Sequence, residues 1–330
     1  MPDVICYGEL LIDFVPTVSN VTLVDAPAFK KAPGGAPANV AVGLSRLGIS
    51  TGFMGKVGED AFGHFLARTL ADNGVDVSAL VFSDQARTAL AFVSLGEAGE
   101  REFMFYRHPS ADMLYTPEEV DQRYIQGGKI FHFGSISLIS EPARSASFHA
   151  IETAQQAGLL LSYDPNLRLS LWSDEIAARE GIMSAWPEAN VIKVSEEELE
   201  FLSGQGNIRQ GASQMWHENL VLMIVTRGKN GCRYFSRSFQ GDVPGFSVDP
   251  VDTTGAGDGF VAGLLKGLIE NQFVWEREND LAKVCRFANA VGAITTLERG
   301  AIPALPSSAQ VGAFLELHNS SKPGEMPQLL

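Results

Sequence analysis

The run Asp252-Thr253-Thr254-Gly255-Ala256-Gly257-Asp258 leads straight into Gly259-Phe260-Val261-Ala262-Gly263-Leu264-Leu265. Gly255, Ala256 and Gly257 are small residues just ahead of a stretch that reads as a helix. A helix N-terminus presents unpaired N–H groups and a partial positive charge, and so attracts anions. Asp258, in the first turn, can take a proton from an attacking hydroxyl. An anion hole and a base this close together suggest phosphoryl transfer to an alcohol. The plainer alternative is a glycine-rich turn starting a helix, with an acidic residue worth about 0.3–1 kcal/mol against the helix dipole.

Alternating elements must position these groups. Val4 to Val15 is apolar and β-prone and carries Glu9 and Asp13. Pro37–Leu47 and Ala61–Asn73 have helical periodicity, closed by Gly48 and Gly74, with a strand at Thr51–Val57 between them. Short apolar runs follow at Ile130–Gly134, Leu159–Asp164, Val191–Val194 and Leu220–Thr226. Helical patterns separate them at Glu141–Ala157, Asp174–Ala185 and Ser195–Leu202. Continuous apolar strands alternating with helices predict an α/β fold with a mostly parallel sheet covered on both faces. Helices are expected at Gly257–Glu270, Asp280–Thr295 and Ser307–Leu317, and fraying from Ser320 to Leu330. Val15–Ala32 and Ala89–Arg107, the latter two strands around Gly96-Glu97-Ala98-Gly99, break the alternation. They suggest a small β-sheet lid, residues 15–32 and 89–107, over a large domain of residues 1–14, 33–88 and 108–330.

Composition narrows the function classes. The 330 residues carry 25 basic and 39 acidic side chains, a net charge of -14, with no basic block, so nucleic acid is not an expected partner. Cys6, Cys232 and Cys285 are too far apart for a zinc pattern or a disulfide framework, and they fit a reducing compartment. No apolar run is long enough to span a bilayer, and Met1-Pro2-Asp3 shows no signal-peptide architecture. The expected location is cytoplasmic.

The common phosphate motifs are absent. The pairs Gly55-Lys56, Gly128-Lys129 and Gly228-Lys229 are followed by Val, Ile and Asn, so no P-loop exists. Asp249, Pro250 and Asp252 make a poor strand before Gly255, which argues against a dinucleotide fingerprint. The H-R-D and D-F-G triplets of protein kinases are missing. Asp252–Asp258 instead resembles the C-terminal signature of the ribokinase-like (PfkB) carbohydrate kinases. Gly34-Gly35-Ala36-Pro37-Ala38-Asn39-Val40-Ala41, then Gly48, Gly55, Gly58 and Asp60, resembles the N-terminal one. Gly8–Asp13, Asp164–Arg168, Thr226–Gly231 and Asn289-Ala290 follow in the family's order, so the resemblance runs from about Gly8 to Pro306. Phe105–Leu114 and Tyr163–Arg168 are most similar to plant-type fructokinases.

The resemblance implies a three-layer α/β/α ribokinase-like fold and an ATP-dependent sugar kinase, with fructose the expected substrate. It implies Asp258 as base, with Gly255, Ala256, Gly257 and Arg168 around the transferred phosphate. Asp13, Gly34, Gly35 and Asn39 would hold the sugar. Arg107 would serve sugar hydroxyls or the carboxylate of a sugar acid, which keeps 2-keto-3-deoxygluconate kinase as the alternative. A silent sugar-binding regulator on the same fold is a further one, though the base and the glycines are intact. Lys193, Thr226, Gly228, Gly231 and Asn289 would line the nucleotide site. Mg²⁺ is expected near Glu198; Ser195 replaces the usual Asn of that motif, and Ser-x-x-Glu also spells a capping box. A monovalent cation such as K⁺ would sit near Asp252, Thr254, Thr295, Glu298 and Gly300. Exposed edges of a lid sheet offer a route to a homodimer.

Overall fold

The apolar runs between Ile130 and Thr226 become the centre of a parallel sheet. The computed structural model describes residues 1–18, 21–95, 101–272 and 275–320. In chain order its strands are β1 Val4–Tyr7, β2 Leu11–Pro16, β3 Phe29–Gly34, β4 Thr51–Gly58, β5 Leu80–Ser83, β6 Leu90–Leu95, β7 Arg101–Tyr106, β8 Ile130–Phe133, β9 Leu160–Tyr163, β10 Val191–Ser195, β11 Leu222–Thr226, β12 Cys232–Ser236 and β13 Gln240–Val243. The large sheet runs β13-β12-β11-β10-β9-β8-β1-β4-β5 and the small one β3-β2-β6-β7. In the large sheet β12 runs against its neighbours β11 and β13, and the other pairings are parallel.

Alternation along each strand feeds two cores. Val4 and Cys6 of β1 face one; Ile5 and Tyr7 face the other. Helices Ala36–Arg46, Ala256–Glu270 and Glu278–Thr295 pack on the first face. Ala143–Gln156, Glu175–Ala185 and Glu196–Ser203 cover the second. The result is the expected three-layer α/β/α sandwich.

Glycine brings the site-bearing helices close together. A Cβ on Gly43 would lie 2.8 Å from the Ala262 Cβ, and one on Gly263 would lie 2.8 Å from the Ala288 Cα. The Ala256–Glu270 helix therefore nests between its two neighbours, and added methyls there would overpack a dense core.

One predicted element is divided. Val4–Val15 forms two strands in two sheets, because Gly8 turns the chain at φ +148 before Glu9 and Leu10. The small sheet thus takes in Leu11–Pro16 and Phe29–Gly34, more chain than residues 15–32. β5, β12 and β13 were not anticipated as strands. The Gly96–Gly99 turn and the tail beyond Ser320 lie outside the described residues.

Candidate active site

The candidate residues gather where the parallel strands end, the usual ligand edge of an open α/β sheet. Asp164 follows β9, Ser195 ends β10 and Thr226 ends β11. Gly255 caps the Ala256–Glu270 helix in the left-handed region, at φ +78. A side chain there would be strained, and its Cβ would lie 2.6 Å from the Ala301 Cβ. The first helical bond runs from the Gly259 N–H to the Gly255 carbonyl at 2.8 Å. The Ala256 N–H turns instead to the Thr253 carbonyl at 3.3 Å. Helix geometry leaves the amides of Gly257 and Asp258 without a partner inside the helix.

Asp258 is 8% exposed, and its Oδ2 accepts a 2.8 Å bond from Asn39 Nδ2, which joins the two signature segments across 219 residues. Burial pushes its carboxyl up to about 6. The Asn39 bond and the Lys193 and Arg168 charges pull it back, while Asp164 pushes the same way as burial. A carboxyl in this range can both accept and return a proton near neutral pH. Asn39 Oδ1 is buried and without a partner among the described residues, an acceptor to which a hydroxyl could donate.

Lys193, on β10, donates from Nζ to Asp164 Oδ2 at 3.1 Å. A Cβ placed on Gly257 would be 3.2 Å from that same Nζ. Burial would lower the Lys193 pKa, but the Asp164 carboxylate, backed by Glu198 and Asp258, overrides this and raises it. The other Asp164 oxygen accepts the Asn166 N–H at 3.2 Å, and Asn166 sits at φ +47, a position that Asn tolerates better than most residues. Arg168 is half-buried in the same loop, with Nη1 on the Leu167 carbonyl at 3.0 Å.

Glu198 forms the capping box with Ser195. Its Oε2 accepts the Ser195 N–H at 2.7 Å, and Ser195 Oγ accepts the Glu198 N–H at 3.1 Å. Its Oε1 accepts the Leu167 N–H at 2.7 Å. Both carboxylate oxygens are therefore engaged with backbone and fasten the 164–168 loop to β10. Each oxygen uses one lone pair in this way.

Among the residues expected to hold a sugar, Gly34 approaches Asp13 so closely that a Cβ would lie 2.2 Å from Oδ2. Gly35 sits at φ +112, where a Cβ would meet the Glu9 carbonyl oxygen at 2.4 Å. Glu9, 3% exposed, accepts the Ala36 N–H at 2.9 Å, and burial raises its carboxyl to about 7. Arg107 is buried too, and both Nε and Nη2 donate to Asp112 Oδ2, the Nε bond at 3.1 Å. Ser110 Oγ donates to the other Asp112 oxygen. Glu9 and Asp112 were not foreseen. The Arg-x-x-Ser-x-Asp spacing, which lets Asp112 fold back on Arg107, was the available signal for the second.

The expected nucleotide residues form a separate group. Thr226 Oγ1 donates to the Val194 carbonyl at 3.3 Å, binding the ends of β10 and β11. Gly228 and Gly231 take φ +53 and +82, and a Cβ on Gly231 would lie 2.1 Å from the Val243 carbonyl oxygen. Asn289 Nδ2 donates to the Val243 and Pro244 carbonyls at 3.3 and 3.1 Å.

Asp252 ties the glycine turn to the 295–300 loop. Oδ1 accepts from Thr254 N–H at 2.9 Å and from Thr254 Oγ1 at 2.6 Å, and Oδ2 accepts the Gly300 N–H at 2.9 Å. Thr295 is fully buried and donates to the Val291 carbonyl at 2.8 Å, and the Glu298 charge acts on Arg46. These bonds bring Asp252, Thr254 and Gly300 together but do not unite all five expected cation ligands. Among the described residues no three His, Cys, Asp or Glu side chains cluster to hold a metal.

A buried carboxyl at the mouth of a helix-borne anion hole, set at the end of a doubly covered parallel sheet, defines a phosphotransferase with an alcohol acceptor. The chain belongs to the pfkB family of carbohydrate kinases, whose model matches residues 1–308. It is 56% identical to "Probable fructokinase-4" of Arabidopsis thaliana over 95% of this chain and 96% of that one. It is 54% identical to "Fructokinase-2" of Solanum lycopersicum, again over 95% and 96%. A Xylella fastidiosa fructokinase with bound ATP superimposes with a TM-score of 0.87 at 33% identity, covering 97% of this chain and all 100% of that one. A Vibrio cholerae O395 double-mutant fructokinase, in a fructose-, ADP- and potassium-bound form, also gives 0.87, at 38% identity, covering 96% and 98%.

Proposed function

We propose that the chain is an ATP-dependent fructokinase that converts fructose to fructose 6-phosphate. The observation that carries this is Asp258, held by Asn39 beside the first-turn amides of its own helix. The C6 hydroxyl attacks the γ-phosphorus in line, and its proton passes to Asp258. A bond forms between O6 and phosphorus; the bond to the bridging oxygen breaks, and its electron pair leaves with ADP. The Gly255–Gly257 turn, through its open Gly257 amide, and the Arg168 guanidinium stabilise the charge on the transferring group, since most of this catalysis is positioning and electrostatics.

Asp13, Gly34, Gly35 and Asn39 hold the sugar. Thr226, Gly228, Gly231 and Asn289 shape the nucleotide side, Gly231 and Asn289 by fixing the Val243–Pro244 turn against it. Mg²⁺, bound with the donor phosphates, would spread their charge, and Glu198 would support that site through the loop it fastens. A K⁺ ion at the Asp252–Thr254–Gly300 junction would steady the glycine turn. The small sheet, residues 15–32 and 89–107 with the flanking parts of β2 and β3, acts as the lid that excludes water. Its edge strands β3 and β7 are the route to a homodimer. Among the described residues no helix is long and apolar enough to cross a membrane. The buried free thiols Cys6, Cys232 and Cys285 fit a cytoplasmic enzyme.

The pairing of Arg107 with Asp112 weighs against the sugar-acid alternative. A guanidinium that spends two donors on an internal carboxylate is poorly placed to take a second carboxylate from a substrate. The test is ADP release over fructose, glucose, ribose, 2-keto-3-deoxygluconate and fructose 6-phosphate. Fructose is expected to lead. No ADP above background with fructose, with clear turnover of the keto-acid, would overturn the assignment.

A further inference from the structure

Lys193 lies on β10, and the groups around it come from three other elements. Its Nζ is 3.1 Å from Asp164 Oδ2, at the end of β9. It is 3.2 Å from where a Cβ on Gly257 would stand, in the first turn of the Ala256–Glu270 helix. Glu198, on the next helix, and Asp258 both act on its charge. The side chain is 10% exposed, so the ammonium is largely withdrawn from water. Lysine is usually a mobile, strongly hydrated point charge. Here it is a fixed one, aimed at the place where helix geometry leaves amides open.

Its holder is fixed in turn. Asp164 receives Lys193 on one oxygen and the Asn166 N–H on the other. The left-handed Asn166 lets the loop turn back so that the Leu167 N–H reaches Glu198. The chain of contacts runs from the capping box through the 164–168 loop to the ammonium.

We propose that Lys193 is a catalytic cation rather than a general nucleotide contact. It completes the anion hole beside Gly257, stabilises the γ-phosphoryl group during transfer, and is aimed by Asp164 as its positioning residue. This rests on the reading of Asp258 as base and of the first-turn amides as the anion hole. A preorganised charge at the point where charge develops acts on the transition state more than on the bound substrates.

The position gives Lys193 a second effect. Asp258 is faced by Asn39 from the Ala36–Arg46 helix, by Asp164 and Arg168 from the loop after β9, and by Lys193 from β10. Lys193 and Arg168 favour the ionised carboxyl and Asp164 opposes it. Removing the lysine charge raises the pKa of the base, so the acid limb of the rate profile moves to higher pH.

The experiment uses Lys193→Gln, which keeps a donor for Asp164, and Lys193→Arg, which keeps the charge; melting curves confirm that both are folded. Loss of one oxyanion donor elsewhere costs roughly 10²–10³ in kcat. Lys193→Gln is expected to lose about that factor with the fructose KM within about threefold, and its acid limb to move up by about one pH unit. Lys193→Arg recovers part of the rate and returns the limb toward the wild-type position. A second readout needs no turnover. ADP alone binds both variants within about threefold of wild type, while ADP with fructose and aluminium fluoride, a mimic of the transferring phosphoryl group, loses affinity in Lys193→Gln by a factor similar to that in kcat. Unchanged kcat in a folded Lys193→Gln enzyme would overturn the proposal. So would a kcat loss with an unmoved limb and equal weakening of ADP with and without the fluoride, the signature of a nucleotide contact. Asp258→Asn is measured alongside. If it retains activity the base assignment fails, whereas the fluoride measurement still decides the role of Lys193.

Discussion

Replacing Asn39 with Leu removes the hydrogen bond to Asp258 while keeping the same branched heavy-atom skeleton. The bond is 2.8 Å long and buried, and it is the largest influence holding the Asp258 carboxyl down against burial. A hydrogen bond to a charged group is worth about 1.5–3 kcal/mol. At 1.36 kcal/mol per unit, its loss raises the carboxyl by about one to two units, from about 6 to between about 7 and 8. The base must be ionised to accept the hydroxyl proton, so activity rises with pH through that value. With a pKa near 7.5, the ionised fraction at pH 7 falls from about nine-tenths to about a quarter, and ionisation alone costs about fourfold. The assay is kcat/KM for fructose at saturating ATP between about pH 5 and 9.5, a parameter that reports the enzyme before the sugar binds. Asn39 also faces the sugar, so the variant will be slower at every pH. The diagnostic is the position of the acid limb, which should shift to alkaline pH. A limb that stays near pH 6 in Asn39→Leu, or a wild-type profile that stays flat from neutral pH down to about pH 5, would refute the reasoning that Asp258 is the base and Asn39 its tuning partner.

The remaining predictions address the parts that hold the site. Asp258→Asn should abolish turnover yet stabilise the fold at pH 7 by up to about 3 kcal/mol, because the buried carboxyl, raised from 3.8 to about 6, ionises at the expense of folding. That gain is full above about pH 6, shrinks as pH falls and vanishes below the unfolded value, so denaturant melts at pH 7 and pH 3.5 check the sign. Glu198→Ala removes the acceptor for Ser195 and Leu167 amides and should cost roughly 1–3 kcal/mol in a melt. Glu198→Gln, which keeps an acceptor oxygen, should lose less; a Glu198→Gln enzyme needing hundreds of times more Mg²⁺ without loss of stability would instead make the residue a direct metal ligand. Gly255→Ala forces a side chain into a left-handed cap against Ala301 and should lower kcat by at least about tenfold, about 1.4 kcal/mol of barrier, with ADP affinity little changed.

How much of this was readable before the structure depends on the kind of constraint involved. The glycine turn could be read because left-handed backbone and close approach restrict the residue type, and Gly255, Gly35 and Gly231 each meet backbone or Cβ atoms that exclude a side chain. The parallel strands could be read because burial on both faces demands unbroken apolar runs. β12 and β13 were missed for the opposite reason: Arg233, Ser236, Gln240 and Asp242 make this antiparallel end of the sheet half-polar, and the Arg233–Asp242 pair across the two strands has no local signature. Val4–Val15 was read as one strand because apolar pattern carries no information about which sheet a residue joins; that depends on Gly8 turning the chain. The site shows the same division. Asp258 and Asn39 were identified separately, but the bond between them spans 219 residues, and it needs the close approach of their two helices that Gly43 allows against Ala262. Glu9 and Asp112 looked like ordinary acidic residues until burial and Arg107 gave them partners. Residue types thus declare the chemistry available at each position. Which groups share a charge, and which are already engaged within the protein, depends on the packing that brings distant segments together.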